Sequence, residues 1–324
     1  MRVFLTGGTG FIGRRVADRL RARGDQVVGM ARGVAGAAWL REHGCEVWDG
    51  DLGSTQAVAA AMAGCDAAFH LAGVYAVGIP ARERPAMYQA NVRGTERVLD
   101  AAISAGVGRI VYVSTVNVFG NTRGVVVDET YRRPPGEFFS YYDETKYRAH
   151  VAAEERIAAG APIVVAMPGG VYGPGDHSQV GTIVDQTRTG TLRMRVFPDM
   201  GMNLGYVDDI AAGIVLVGDR GRLGDSYVVG GEISRLGQVV DVVARLAGRR
   251  APRFTMPTPL MRLAIPFGSL IGRVMGYPPN LRELISAADG VTYWATDAKA
   301  RNELGYTSRA LEEGLRDTVS AATR

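Results

Sequence analysis

The segment that most constrains this chain is Thr6-Gly7-Gly8-Thr9-Gly10-Phe11-Ile12-Gly13. It follows the apolar run Arg2-Val3-Phe4-Leu5, long enough for a buried strand. It opens Arg14 to Arg23, where Val16, Leu20 and small residues recur at helical spacing. Strand, glycine-rich turn and helix within about thirty residues predict the start of a phosphate-binding βαβ unit. Gly7 permits the tight turn, Gly10 lets the backbone approach a pyrophosphate, and Gly13 lets helix pack close to strand. The helix N-terminus then offers free amides and the positive end of its dipole to the phosphates. A flexible glycine loop is the competing reading, and the strand before it and helix after it weigh against that.

At 324 residues the chain can bury a large core, in one domain or two. Its 47% apolar and 22% charged residues are ordinary for a globular enzyme, and its net charge is +4. The basic residues are dispersed arginines with no long like-charged run, which argues against nucleic acid as a partner. Cys45 and Cys65 are too few for a disulfide framework and read as reduced thiols. The glycine turn begins where a leader's apolar core would run, and Leu260 to Met275 is broken by Arg262, Pro266 and Arg273. These features predict a soluble, cytoplasmic protein with no membrane span. No metal site is expected.

A second strand is predicted from Gln26 to Met30. A dinucleotide site usually places an acid about 20 residues past the glycines to hold the ribose 2′-hydroxyl. Here the strand ends in Met30-Ala31-Arg32-Gly33, with no acid between Asp25 and Glu42. Arg32 can instead pair with a 2′-phosphate, with Arg14 or Arg15 close by, so NADP(H) is expected over NAD(H). The bland alternative is a solvated strand-end charge. Cys45 to Trp48 predicts a third strand leading to Asp51-Leu52, where Asp51 is also a natural cap for the next helix. Ala67 to Gly73 predicts a fourth strand whose small C-terminal residues Leu71-Ala72-Gly73 suit a backbone under a cofactor. His70, inside that apolar strand, reads as a satisfied structural histidine.

Arg109 to Val113 predicts a fifth strand that delivers Ser114 and Thr115 at its carboxyl end, where ligands of open parallel sheets bind. Ser140-Tyr141-Tyr142-Asp143-Glu144-Thr145-Lys146 then holds one YxxxK pair, Tyr142 and Lys146. Residues four apart on a helix share a face, so phenol and ammonium can meet one ligand. A free tyrosine titrates near ~10, and a neighbouring cation can lower that value toward neutral pH. Thirteen tyrosines and two lysines give roughly 0.08 such pairs by chance, so a surface coincidence is the weaker reading. The chain otherwise uses arginine almost throughout, which suggests a role at Lys146 that guanidinium cannot fill.

The GxxGxxG spacing, Thr115, the YxxxK pair and the later Val171-Tyr172-Gly173-Pro174-Gly175-Asp176 and Val207-Asp208-Asp209 runs resemble the extended short-chain dehydrogenases/reductases, the NAD-dependent epimerase/dehydratase family. The resemblance covers essentially the whole chain. It implies an α/β fold, a Rossmann-like doubly wound parallel sheet with a smaller C-terminal substrate lobe. Residues 1–167 would form the nucleotide-binding domain, completed by elements within 205–230, and 168–324 the lobe, with helices joined by turns from Phe254 to Tyr277. It implies catalytic roles for Thr115, with Ser114 in reserve, Tyr142 and Lys146. Cofactor contacts would come from Thr6, Gly7, Gly10, Phe11, Ile12, Gly13, Arg32, Asp51, Leu52, Leu71, Ala72, Gly73, Tyr142, Lys146, Pro168, Gly170 and Val171. Asn91 would tie the central strands together, an aspartate of the Val207 run would cap its helix, and homodimerisation is a further family expectation.

Within that family the chain lacks several handles. Met202 stands where nucleotide-sugar enzymes usually carry an arginine, Met167 where they tend to carry an asparagine, and Val116-Asn117 where dehydratases carry Asp-Glu. The pattern resembles the dihydroflavonol-reductase-like group, which includes proteins labelled hopanoid-associated sugar epimerases. The leading expectation is NADP(H)-dependent interconversion of a carbonyl and a secondary alcohol on a small substrate that is not a nucleotide sugar. The alternatives are a sugar or nucleotide-sugar epimerase that retains NAD, and a nucleotide-sensing protein without catalysis. Tyr75, Asn117, Tyr172 and Phe197 are candidate pocket residues. The methionines at 167, 194, 200 and 202 suit an apolar pocket or, more often, plain core.

Overall fold

A computed structural model describes residues 1–268 and 278–321. β1 (Arg2–Thr6) passes through the glycine turn into α1 (Phe11–Ala22). Then come β2 (Gln26–Ala31), α2 (Val34–Glu42), β3 (Glu46–Asp49), α3 (Thr55–Ala61) and β4 (Ala67–His70). A short α4 (Arg84–Tyr88) and a π-helical turn at Gln89–Arg93 lead into α5 (Gly94–Ser104), β5 (Arg109–Val113), α6 (Tyr141–Ala158) and β6 (Ile163–Pro168). The second half holds β7 (Gly170–Tyr172), α7 (Gln179–Thr189), β8 (Gly201–Tyr206), α8 (Val207–Arg220), β9 (Ser226–Val229), β10 (Glu232–Arg235), α9 (Leu236–Leu246), α10 (Thr258–Leu263), α11 (Leu281–Ala288) and β11 (Thr292–Tyr293). Helices at Ala298–Leu304 and Leu311–Ala321 close it.

Seven strands form one parallel sheet in the order β3-β2-β1-β4-β5-β6-β9. A sheet covered on both faces needs apolar residues at every position, and β1, β5 and β6 supply them. Alternation sends Phe4, Ile110 and Val165 to the face under α5 and α6. Val3, Leu5, Val111 and Val164 go to the face under α1 and α8. Each such side chain contributes about 1.5–3 kcal/mol on burial. The strand order reverses between β1 and β4, so a crevice opens at their carboxyl ends. A smaller sheet, with β8 pairing β7, β10 and β11, stands beyond that crevice over its own core of Tyr172, Leu204, Val239 and Leu315. Among the described residues no helix is long and apolar enough to cross a membrane. Residues 269–277 of the proline-punctuated stretch lie outside the described residues.

Three local expectations change. Ser54, not Asp51, caps α3, its hydroxyl accepting from Ala57 N, because Asp51 turns back to accept from Gly53 N at 2.7 Å. No aspartate caps α8 either. Its N-cap is Tyr206; Asp208 and Asp209 sit in the first turn, and Asp209 accepts from Arg309 at 2.9 and 3.0 Å. The helix after Asn91 begins one turn earlier as a π-helix, which turns Asn91 inward; it ties Val74 to α6 rather than strand to strand.

Candidate active site

The glycine turn owes its shape to close approach. Gly7 sits at φ 74°, and a Cβ there would lie 2.6 Å from Ala72 N. At Gly13 a Cβ would fall 2.0 Å from the Gly7 carbonyl oxygen, so only glycine lets α1 start against the turn. α1 has no side-chain cap, its N-cap being Gly10, which leaves its first amides for another acceptor. A cavity of about 660 Å³ opens there, bounded by Gly7, Thr9 and Gly10, by Met30, Arg32 and the start of α2, and by Leu71, Ala72 and Gly73.

This cradle fits a dinucleotide, with uncapped amides for phosphates and one exposed cation, Arg32, at the rim. Of the expected contacts, Gly7, Gly10, Arg32, Leu71, Ala72 and Gly73 come together on it. Thr6, Phe11, Ile12, Gly13, Tyr142 and Lys146 do not border it. Asp51, Leu52, Pro168, Gly170 and Val171 do not border it; Asp51 is exposed, Leu52 packs on Gly94, and Gly170 and Val171 pair with β8. Gly33 to Gly36 were missed, although the glycine-rich spacing just past Arg32 marks an uncapped helix start with φ 147° at Gly33. Arg14 lies over the Trp39 ring and donates to Thr9 O at 3.0 Å, whereas Arg15 donates to Pro174 O and turns toward the lobe.

α6 begins with Ser140 as N-cap, its hydroxyl accepting from Asp143 N at 3.0 Å. That start is held from two sides. Arg133 clamps Asp143 through two bonds of 2.7 and 3.1 Å, with both side chains almost wholly buried. Glu283 of α11 accepts from Tyr141 N at 2.9 Å and Gly78 N at 3.3 Å. Neither Arg133 nor Glu283 was legible in advance: Arg133 reaches the Asp143 carboxylate from an irregular loop, and Glu283 acts on the backbone of α6 from far along the chain.

Tyr142 and Lys146 lie on one face of α6, at the carboxyl end of β5. Lys146 Nζ donates to Val113 O at 3.2 Å and stands 5.4 Å from the centre of the Tyr112 ring. Burial lowers its pKa to about 8. Burial first, then the Tyr75, Tyr112 and Asp143 side chains, holds the Tyr142 phenol above its ordinary range, while the facing Thr115 hydroxyl works against them. The lowering expected from Lys146 is therefore not seen: the phenol is held above its ordinary range, not below it. Thr115 caps the turn Val116–Phe119, accepting from Asn117 N and donating to Asn117 Oδ1, each at 3.2 Å. Ser114 faces the other way, with its hydroxyl 2.9 Å from His150 Nδ1 inside the core. Strand alternation thus separates the two hydroxyls, and Thr115 is the one beside Tyr142.

Among the pocket candidates, Tyr75 meets Tyr142 edge-on and Asn117 flanks Thr115. Tyr172 does not reach this space. Its ring is buried against Tyr206 and its hydroxyl donates to Leu311 O, because the lobe core needs a large side chain there. Phe197 is buried among α11 residues, and Met167 and Met202 are core.

Fold and site together define a nucleotide-dependent enzyme of the extended short-chain dehydrogenase/reductase type. The model of the NAD dependent epimerase/dehydratase family matches residues 3–230, and the chain belongs to that family. It is 31% identical to a Synechocystis protein provisionally named dihydroflavonol 4-reductase, covering 98% of this chain and 93% of that one. It is 30% identical to the Stigmatella aurantiaca 4-hydroxy-2-methyl-3-oxo-4-farnesyl-3,4-dihydroquinoline-1-oxide ketoreductase, covering 99% and 96%. Among solved structures, that of gox2253 superposes with a TM-score of 0.85 at 29% identity, covering 98% of this chain and 97% of that one. The chain is accordingly an NAD(P)-dependent oxidoreductase.

Proposed function

We propose that the protein reduces a ketone to a secondary alcohol with NADPH, or runs the reverse reaction, on a small substrate that is not a nucleotide sugar. The observation that carries this reading is the convergence of Thr115, Tyr142 and Lys146 at the carboxyl end of β5, the strand next to β4, which runs into the Leu71, Ala72 and Gly73 that border the glycine-lined cavity. When bound, the dinucleotide supplies or accepts the hydride. Tyr142 donates the proton to the oxygen as the alcohol forms, its phenol being held protonated by burial. Thr115 orients that oxygen, with its own hydroxyl held by Asn117. Lys146, anchored on Val113 O, presents its ammonium to the cofactor ribose and stabilises the phenolate left behind.

Arg32 is the proposed reader of the 2′-phosphate, supported by the lack of any acid at the end of β2. Against a nucleotide-sugar epimerase stands Met202, at the position where such enzymes usually carry an arginine that clamps the sugar diphosphate. The similarity to a ketoreductase supports reduction as the working direction.

The deciding experiment is NADPH oxidation over a panel of 3-oxo esters and aryl ketones by the wild type and by Tyr142→Phe. Turnover that falls at least a thousandfold in the variant, with NADPH affinity kept, supports the mechanism. Undiminished turnover in Tyr142→Phe overturns it. Tightly retained NAD in the purified protein would move the epimerase reading ahead.

A further inference from the structure

His70 is wholly buried in β4, yet both ring nitrogens are bonded. Nδ1 lies 2.7 Å from Thr6 Oγ1, and Nε2 lies 3.0 Å from Thr95 Oγ1. The proton directions follow from the neighbours. Thr95 donates its own proton to Asn91 O at 2.7 Å, so its oxygen must accept from His70 Nε2–H. That fixes the tautomer: Nδ1 carries a lone pair and accepts from Thr6. The Thr6 oxygen in turn accepts the amide of Ala72 at 3.3 Å.

Thr6 opens the glycine turn, and Ala72 lies on the opposite wall of the nucleotide cavity. The two walls meet with no slack, since a Cβ on Gly7 would sit 2.6 Å from Ala72 N. The far end of the chain reaches the other half of the site. Asn91 Nδ2 donates to Thr145 Oγ1 at 3.1 Å, and Thr145 donates to Tyr142 O at 2.9 Å. Thr6, His70, Asn91, Thr95 and Thr145 are all buried, so each bond is shielded from competing water.

We infer that His70 is a positioning residue for the cofactor. Through Thr6 it sets the glycine turn against Ala72, and through Thr95 and Asn91 it ties that turn to the helix bearing Tyr142. This role rests on the cofactor reading given above, but its test reads nucleotide affinity and needs no substrate.

The two nitrogens can be replaced separately. His70→Asn places an amide near Nδ1 and keeps the Thr6 bond. His70→Gln places one near Nε2, keeping Thr95 and leaving the Thr6 hydroxyl without its acceptor. NADPH titration of the full-length protein by fluorescence, with melting temperatures measured alongside, should show at least a tenfold weaker Kd for His70→Gln. His70→Asn should stay within threefold of wild type at a similar melting temperature. Thr6→Val, close to isosteric, should weaken NADPH as His70→Gln does, and serves if that variant fails to fold. Equal weakening in both His70 variants, or wild-type affinity in both His70→Gln and Thr6→Val, overturns the role. A wild type that binds neither NADPH nor NADH removes the cofactor reading itself, and this role with it.

Discussion

The Tyr75 ring stands edge-on to that of Tyr142, with centroids 4.8 Å apart and planes at 85°. Such a contact is worth about 0.5–1.5 kcal/mol and restrains the Tyr142 ring. Tyr75 is also 53% exposed, so its outer face is free to meet a substrate. Tyr75→Ala is expected to raise KM about fivefold or more for the best ketone of the panel while leaving NADPH affinity within twofold. Steady-state kinetics beside a nucleotide titration check this; a change in NADPH affinity alone would move Tyr75 to the cofactor side.

Cofactor choice turns on Arg32. A guanidinium at the end of β2 favours a 2′-phosphate by charge-assisted hydrogen bonds worth about 1.5–3 kcal/mol. Arg32→Ala should therefore weaken NADPH by about tenfold or more and leave NADH within twofold. Equal losses for the two nucleotides would mean that Arg32 contributes a general positive field.

Lys146 has a folded pKa of about 8 against its ordinary 10.5. Between those values the unfolded chain binds more protons than the folded one, so the contribution of Lys146 to stability rises with pH across that window. Lys146→Met should flatten the rise in the cofactor-free protein, measured by denaturant unfolding at pH 7.5 and 9.5. NADPH affinity should move the opposite way, falling as the ammonium neutralises above about pH 8.

His70 gives the matching window on the acid side. Burial first, then the Lys146 charge, push its pKa down to about 3 from 6.5. The unfolded state again binds more protons in between, so folded stability falls as pH drops from 6.5 toward 3. His70→Asn, which cannot titrate, should show a shallower acid loss in denaturant midpoints from pH 6.5 to 4.5.

Arg133 and Asp143 form a pair with side chains 3% and 1% exposed, joining the loop before α6 to that helix's first turn. Arg133→Met leaves a buried carboxylate beside Tyr142 and should cost about 3–5 kcal/mol. The double variant with Asp143→Asn should recover part of that loss in urea unfolding, because no unpaired charge remains.

Local pattern determined a great deal here by itself. The strand-turn-helix at Thr6 to Gly13, the apolar parallel strands and the four-residue step from Tyr142 to Lys146 are legible because each follows from short-range geometry. So did the choice of family, which rests on motifs in a fixed order. What only the tertiary structure decided involves partners distant in the chain. It separated Thr115 from Ser114 by sending one hydroxyl to Tyr142 and the other to His150. It consigned Tyr172 to the lobe core, brought Glu283 to the start of α6, and turned Asn91 inward through a π-helical turn. Sequence spacing records which side chains share a strand or helix face. Which buried polar atoms satisfy one another depends on packing between elements, and that closes only when the chain has folded.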